Sequence, residues 1–318
     1  MDYRDHSTHG TPSPRFPARV GTVRTPPPCP PETPEALPFD PDRALAAAGV
    51  ATAFIGEGLP GAAIDIRAVS KCFGRARPAL SDVSLTVAPG ECMAVAGVNG
   101  AGKTTLLRCL LDFTRPDTGR ISIHGTDSRR PEARRALAWL PERFLPSPHL
   151  TGRETLSMLA GLQDQHWCGP RIAAALAELE FPADALERRT RLYSKGMMQK
   201  LGLASAVLQD KPVLVLDEPM SGLDPLARRF LSGVLSRLRA DGRTLIFTSH
   251  APADIERLAD RLALLHGGRL LFLGPPAQLR EAHGTADLES AFVACIRAAD
   301  AVGPDGPDAP LPSRSDPT

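Results

Sequence analysis

Nothing in this 318-residue chain offers a covalent or metallic staple. Its six cysteines, Cys29, Cys72, Cys92, Cys109, Cys168 and Cys295, are scattered, and no CxxC pair occurs. That spacing suggests neither a zinc centre nor a disulfide framework, and it fits a reducing cytoplasm. Long apolar runs are missing too: none reaches the ~18 residues that a membrane helix needs. The nearest approach, "ALAAAGVATAFIG" at 44–56, follows acidic, proline-rich sequence and reads as a loosely packed helix rather than a signal peptide. Any membrane work therefore falls to a separate partner. Charge of one sign is also lacking. The formal net charge is +1, so no global field points to nucleic acid or an acidic substrate. The pairs Arg129–Arg130 and Arg134–Arg135 come without interleaved aromatics and read as a solvated helix face.

What the chain does have is unevenly placed. Half of its 32 prolines crowd residues 11–42 and 303–318. Such composition buries too little apolar surface to offset chain entropy. A disordered N-terminal extension is expected over 1–60 and a disordered tail over 301–318, leaving one domain at 61–300. From about residue 62 short apolar runs take over. "AIDIRAV", "DVSLTVAPG", "CMAVAG", "GRISIHG", "LAWLP", "PVLVLDEP", "TLIFTSH" and the hairpin-like "LALLHGGRLLFLG" read as strands. Helical patterns lie between them, among them "KTTLLRCLLDF", "ETLSMLAGL", "RIAAALAELEF", "LARRFLSGVLSRLRADG" and "ADIERLADRL". The alternation predicts an α/β fold with a mainly parallel sheet covered on both faces. The first two strands form an antiparallel patch, and a helical subdomain is inserted at about 144–196.

Three strand ends carry the chemistry. "GVNGAGKTT" at 97–105 fits the phosphate-loop pattern through Gly97, Gly102, Lys103 and Thr104. It follows the strand "CMAVA" and opens a helix, which is the context the pattern requires. Backbone N–H groups of Gly97, Asn99, Gly100, Ala101, Gly102 and Thr105 are assigned to the phosphates. Lys103 reaches the β and γ phosphates, and the Thr104 hydroxyl ligates Mg²⁺. The second end, "PVLVLDEP" at 212–219, closes an apolar strand with adjacent acids. Strand alternation puts Asp217 and Glu218 on opposite faces, so they divide the work. Asp217 is assigned to Mg²⁺, and Glu218 to accepting a proton from the attacking water. The third, "TLIFTSH" at 244–250, ends in His250, placed to touch the γ-phosphate and that water. A further anion site opens at "YSKGMMQKLGLASAV", 193–207, where Ser194 and Gly196 begin a helix.

In that order, "GVNGAGKTT", "YSKGM", "LVLDEP", "SGLD" and "TSH" resemble the ATP-binding subunit of an ABC transporter, from about residue 64 to 297. The resemblance implies the P-loop NTPase fold of ABC ATPases, with ATP and Mg²⁺ as ligands. It also implies a head-to-tail pair of chains, in which Ser194 and the Gly196 amide reach the nucleotide of a second copy. Asp224 then links the two sites, Phe73 stacks on adenine, and Glu142 stands where the family has a metal-binding glutamine. Tyr193, Lys195 and Met197 depart from the family's "LSGGQ". Implied partners are a second ATPase subunit, as a homodimer, and an integral membrane permease, with no nucleic acid. The implied place is the cytoplasm, peripheral on the inner face of the cell membrane. "WLPERFLPSPHLTGRETL", "YSKGMMQKLGLA" and "DEPMSGLDPLARR" are similar to ATPases of ABC-2-type exporters and to the ATPase of nitrous oxide reductase maturation.

Two other classes compete with a transport ATPase. One is a soluble ABC ATPase serving metal-cofactor assembly, at copper sites or iron–sulfur centres. Translation factors of this type have two ATPase halves, whereas this chain has a single P-loop, and no sustained heptads suggest a chromosome protein. The other is a nucleotide-gated module with little turnover, against which Lys103, Asp217, Glu218 and His250 argue together.

Overall fold

The computed structural model of the chain describes residues 61–302 apart from 75–77. The extension expected over 1–60, with the apolar stretch at 44–56, lies outside the described residues, and so does the tail expected over 301–318 from residue 303 on, while Ala301 and Val302 still belong to the last helix.

Two sheets organise the described chain. Strands β1 (Ile64–Lys71), β2 (Leu80–Val87), β4 (Thr118–Ile123) and β5 (Thr126–Asp127) pair antiparallel in the order β2-β1-β4-β5. The antiparallel patch thus takes in "GRISIHG" as well as the first two strands. Strands β3 (Cys92–Ala96), β6 (Leu137–Leu140), β7 (Val213–Leu216), β8 (Thr244–Ser249), β9 (Arg261–His266) and β10 (Arg269–Gly274) form the second sheet. Its order is β10-β9-β3-β8-β7-β6, parallel throughout except for the β9–β10 hairpin.

The unbroken apolar character of these central strands has a geometric cause. Successive side chains alternate between faces, and both faces are covered. Cys92, Ala94 and Ala96 of β3 enter one buried cluster, while Met93 and Val95 enter another. Leu214 and Leu216 of β7 divide from Val213 and Val215 in the same way. Between the sheets lies α1 (Lys103–Leu110), with Leu106, Leu107 and Leu110 buried. The opposite face is covered by α6 (Pro225–Ala240), α7 (Pro252–Leu258), α8 (Pro276–His283) and α9 (Leu288–Val302), through residues such as Leu235, Ile255, Leu279 and Phe292.

The short α2 (Pro131–Arg134) corrects the reading of the arginine pairs. Arg134 is half-buried and donates to the Ser128 carbonyl at 2.7 Å and to Asp112 at 3.1 Å. It anchors a turn rather than lying free in solvent. The segment 144–196 is helical as expected, with α3 (Gly152–Gly161), α4 (Gly169–Glu178) and two 3-10 turns at Ala183–Glu187 and Thr190–Leu192. A capping box opens α3: Thr151 Oγ1 accepts from the Glu154 N–H, and Glu154 accepts from the Thr151 N–H. This segment feeds α5 (Lys195–Leu208). Tyr193 fastens the junction. Its hydroxyl donates to the Ala185 carbonyl at 2.7 Å, and its ring packs on Phe181 at 5.5 Å.

Candidate functional site

The ends of β3, β8 and β7 are neighbours in the sheet, so the loops leaving these three strands converge at one edge. Ligands of open α/β sheets gather at such carboxyl ends. After β3 the chain turns through Gly97 to Gly102 and enters α1. Gly97 has φ 149° and Gly102 has φ 109°, and a Cβ on either would strike backbone oxygen, Leu265 O at 2.2 Å or Ala79 O at 2.4 Å. Only glycine fits there. Val98, Asn99 and Gly100 stand exposed at the loop's crest, Ala101 is buried, and Thr104 and Thr105 are half-buried. The Lys103 ammonium folds back over the loop. It donates to the Gly97 carbonyl at 2.7 Å and lies 3.8 Å from Glu218 Oε1.

The two acids after β7 meet different partners, though strand alternation is not the reason. The strand ends at Leu216, and Glu218 takes a left-handed backbone with φ 47°. For a non-glycine residue that conformation costs on the order of 1 kcal/mol or more, and the surroundings must hold it. Thr248 is what holds it. Fully buried near the end of β8, its hydroxyl donates to Asp217 Oδ1 at 2.6 Å and accepts from the Glu218 N–H at 2.7 Å. Glu218 Oε2 then meets His250 Nδ1 at 2.9 Å. Glu218 therefore sits between the phosphate-loop lysine and the histidine, while Asp217 lies near enough to the Thr104 side chain for that group to lower its pKa. Thr248 was not among the sequence-derived site residues. Its only signal was a polar residue inside the otherwise apolar run "TLIFTSH".

Electrostatics favour a cation beside Asp217. Burial pushes its carboxyl above the usual range, the nearby Thr248 and Thr104 side chains oppose this, and the charges of Glu142 and Glu218 raise it further. Among the described residues no group of three or more His, Cys, Asp or Glu gathers as a protein-built metal site. A hydroxyl beside one buried carboxylate matches Mg²⁺, which keeps several waters and takes its remaining oxygens from substrate phosphates. Glu142 is exposed and acts on Asp217 only through its charge. Phe73 is 51% exposed, and the Lys71 ammonium lies over its ring, 5.6 Å from the centroid.

The remaining predicted residues stand apart. Ser194 caps α5, its hydroxyl accepting from the Met197 N–H at 3.2 Å, and it is exposed, while Gly196 is half-buried beside it. Asp224 caps α6 through the Ala227 N–H at 2.8 Å. Among the described residues no hydrogen bond or ion pair joins Ser194, Gly196 or Asp224 to Lys103, Asp217 or His250. The edge of the sheet can thus grip a polyphosphate, hold a divalent cation and present a carboxylate to water, while the exposed start of α5 lies apart from it.

Comparison with known proteins agrees with that geometry. The family model described as ABC transporter matches residues 80–221. The Nod factor export ATP-binding protein I of Burkholderia lata is 39% identical over 234 residues, covering 70% of this chain and 74% of that protein. An uncharacterized ABC transporter ATP-binding protein of Nostoc sp. is 37% identical over 216 residues, covering 65% of this chain. The match spans 62% of the Nostoc protein, a little under two thirds of its length. Among solved structures, an ATP-binding subunit of an ABC transporter superposes with TM-score 0.66 at 30% identity, covering 73% of this chain and 98% of that one. A dimeric ATP-binding cassette in a post-hydrolysis state, bound to ADP and phosphate, shares the fold with TM-score 0.62 at 21% identity, covering 67% of this chain and 98% of its own.

Proposed function

This chain belongs to the family of ABC transporter ATP-binding proteins, and from that premise we propose that it hydrolyses ATP to drive a separate membrane permease. Relatives named for Nod factor export support an exporter, and the motifs around Glu142, Ser194 and Asp224 point to the ABC-2-type group. No described helix is long and apolar enough to cross a membrane. The permease therefore supplies the membrane part, and this chain works at the membrane's cytoplasmic face.

The single observation that carries hydrolysis is Glu218, held between Lys103 at 3.8 Å and His250 at 2.9 Å. Lys103 exchanges its bonds to loop carbonyls for the β and γ phosphates. Thr104 and Asp217 would hold Mg²⁺, which when bound would neutralise charge on those phosphates. Phe73 stacks on the adenine, and the loop from Gly97 to Thr105 cradles the phosphates. Water attacks the γ phosphorus as its proton passes to Glu218. The bond to the β–γ bridging oxygen breaks, and ADP departs with that oxygen. His250 orients the carboxylate and contacts the γ-phosphate. Ser194 and the Gly196 amide of a second copy complete each site across a homodimer, and Asp224 relays between the two.

Glu218→Gln in the full chain tests this reading. Hydrolysis is expected to fall by ~10²–10⁴-fold, and ATP is expected to hold the variant as a dimer in light scattering. Turnover at the unmodified rate would remove Glu218 from the role of base. Copurification of the native chain with a membrane protein supports the transport reading, and recovery with a soluble scaffold alone refutes it.

A further inference from the structure

The first turn of α5 grips the loop that leads away from Glu218. Lys195 and Gln199 are one helical turn apart and so share a face. Gln199 is buried, and its side-chain amide donates to the Pro219 carbonyl, the residue directly after Glu218, at 3.3 Å. Lys195 reaches Ser221 Oγ at 3.4 Å. Its stem lies so close over Gly222 that a Cβ there would meet the lysine's Cδ, Cε and Nζ at 2.7 Å. Gly196 faces Leu223 of the same loop. These contacts of Lys195, Gly196 and Gln199 all go to the stretch 219–223, which runs from the carboxylate to Asp224.

Lys195 sits at an electrostatically poor place for a cation. It is the first residue of a 14-residue helix, at the positive end of the helix dipole, with no acid in the first turn. Among the described residues no carboxylate pairs with it, so its bond to Ser221 is what offsets that placement.

We propose that Lys195 and Gln199 are positioning residues that clamp the 219–223 loop to α5, so that Ser194 and Glu218 of one chain move as one body. Since Ser194 serves the nucleotide of the second copy and Glu218 the chain's own, the clamp makes occupation of one site set the base of the other. The inference rests on the function proposed above. Lys195 and Gln199 touch neither water nor phosphate in this scheme. They act through Pro219 and Ser221.

The test uses the full chain and steady-state ATP hydrolysis, with binding of a fluorescent ATP analogue to follow the P-loop. Lys195→Ala is exposed and leaves the fold intact, so it is the primary variant, and Gln199→Ala is the second. Each is expected to lower kcat about tenfold, as loss of one charge-assisted or buried hydrogen bond allows, with KM and analogue binding within about twofold. Lys195→Arg, which keeps the cation and the reach, is expected to restore most of kcat. The double variant is expected to be no slower than the slower single one, because both act on one loop. Full kcat in Lys195→Ala, fully additive losses, or a raised KM at unchanged kcat would each overturn the clamp. Glu218→Gln run alongside separates the two ideas. If it is inactive while Lys195→Ala is fully active, only the clamp fails. If it stays active, the reading of the base fails with it.

Discussion

The two regions that the proposed function assigns to phosphate are built in opposite ways. At the strand ends, Lys103, Asp217, Thr248, Glu218 and His250 are cross-bonded within one chain, and only His250 among them is exposed. At the start of α5, Ser194 and Lys195 are exposed, and Ser194 bonds only to its own helix. The first region is preorganised, its groups aimed before any ligand arrives, which is how electrostatic catalysis avoids paying for reorganisation at the moment of reaction. The second is a helix end whose cap residue is exposed. Local bonds finish the one, and the function proposed above has a second molecule complete the other.

Breaking the preorganised side should cost most. Lys103→Ala removes the one cation buried against the loop, and kcat is expected to drop by at least ~10²–10³-fold, the scale for losing one oriented donor. Ser194→Ala should do far less to the isolated chain, about 1 kcal/mol of unfolding free energy for a lost helix cap. A rate nearly unchanged in Lys103→Ala would erase the contrast.

Thr248→Val sharpens the comparison by acting on stability rather than on the ligand. The shape is kept, while Asp217 and the Glu218 N–H lose their shared partner inside the protein. Stranding such buried groups costs ~1–3 kcal/mol, read from urea unfolding, and the rate is expected to fall with it because the left-handed turn at Glu218 loosens. Unchanged stability would mean that the turn is held by something else.

How much of this the sequence made legible depends on where each signal lies. The apolar runs and the polar tips at Gly97, Asp217 and His250 were readable, because a strand buried on both faces shows as an unbroken hydrophobic stretch and an acid at its end has no structural excuse. Thr248 was not, since a threonine is an ordinary strand residue and its two bonds reach across to another strand. The grip of Lys195 on Ser221 joins residues 26 apart and leaves no periodic trace. The left-handed backbone of Glu218, rather than strand alternation, gives the two acids their different partners. Arg134 looked solvated because its partner, Asp112, lies 22 residues back in sequence. The helices α8 and α9 were not among those expected, although each supplies apolar residues to the core.

Smaller effects are expected from groups that belong to neither region's bond network. Phe73→Ala should weaken nucleotide binding by ~1–3 kcal/mol, the scale of base–aromatic stacking, while unfolding free energy moves by under ~0.5 kcal/mol as for other exposed positions. Titration of nucleotide binding beside urea unfolding checks both. His283, half-buried at the end of α8, is held by burial below the ordinary histidine value of 6.5. The folded chain therefore binds fewer protons than the unfolded one just below that pH, so stability rises with pH there and is lost as pH falls from 6.5 through the lowered folded value. His283→Gln is expected to flatten that slope in thermal melts taken from neutral to mildly acid pH.

The contrast between a finished half-site and an unfinished one is tested most directly by mixing two crippled chains. Lys103→Ala spoils the strand-end half and keeps the helix end, whereas Ser194→Arg keeps the strand-end half and blocks the helix end. Each alone is expected to be nearly inactive, and the mixture is expected to regain ATP hydrolysis, because one site in a mixed pair draws an intact half from each chain. A mixture no more active than either chain alone would contradict the account.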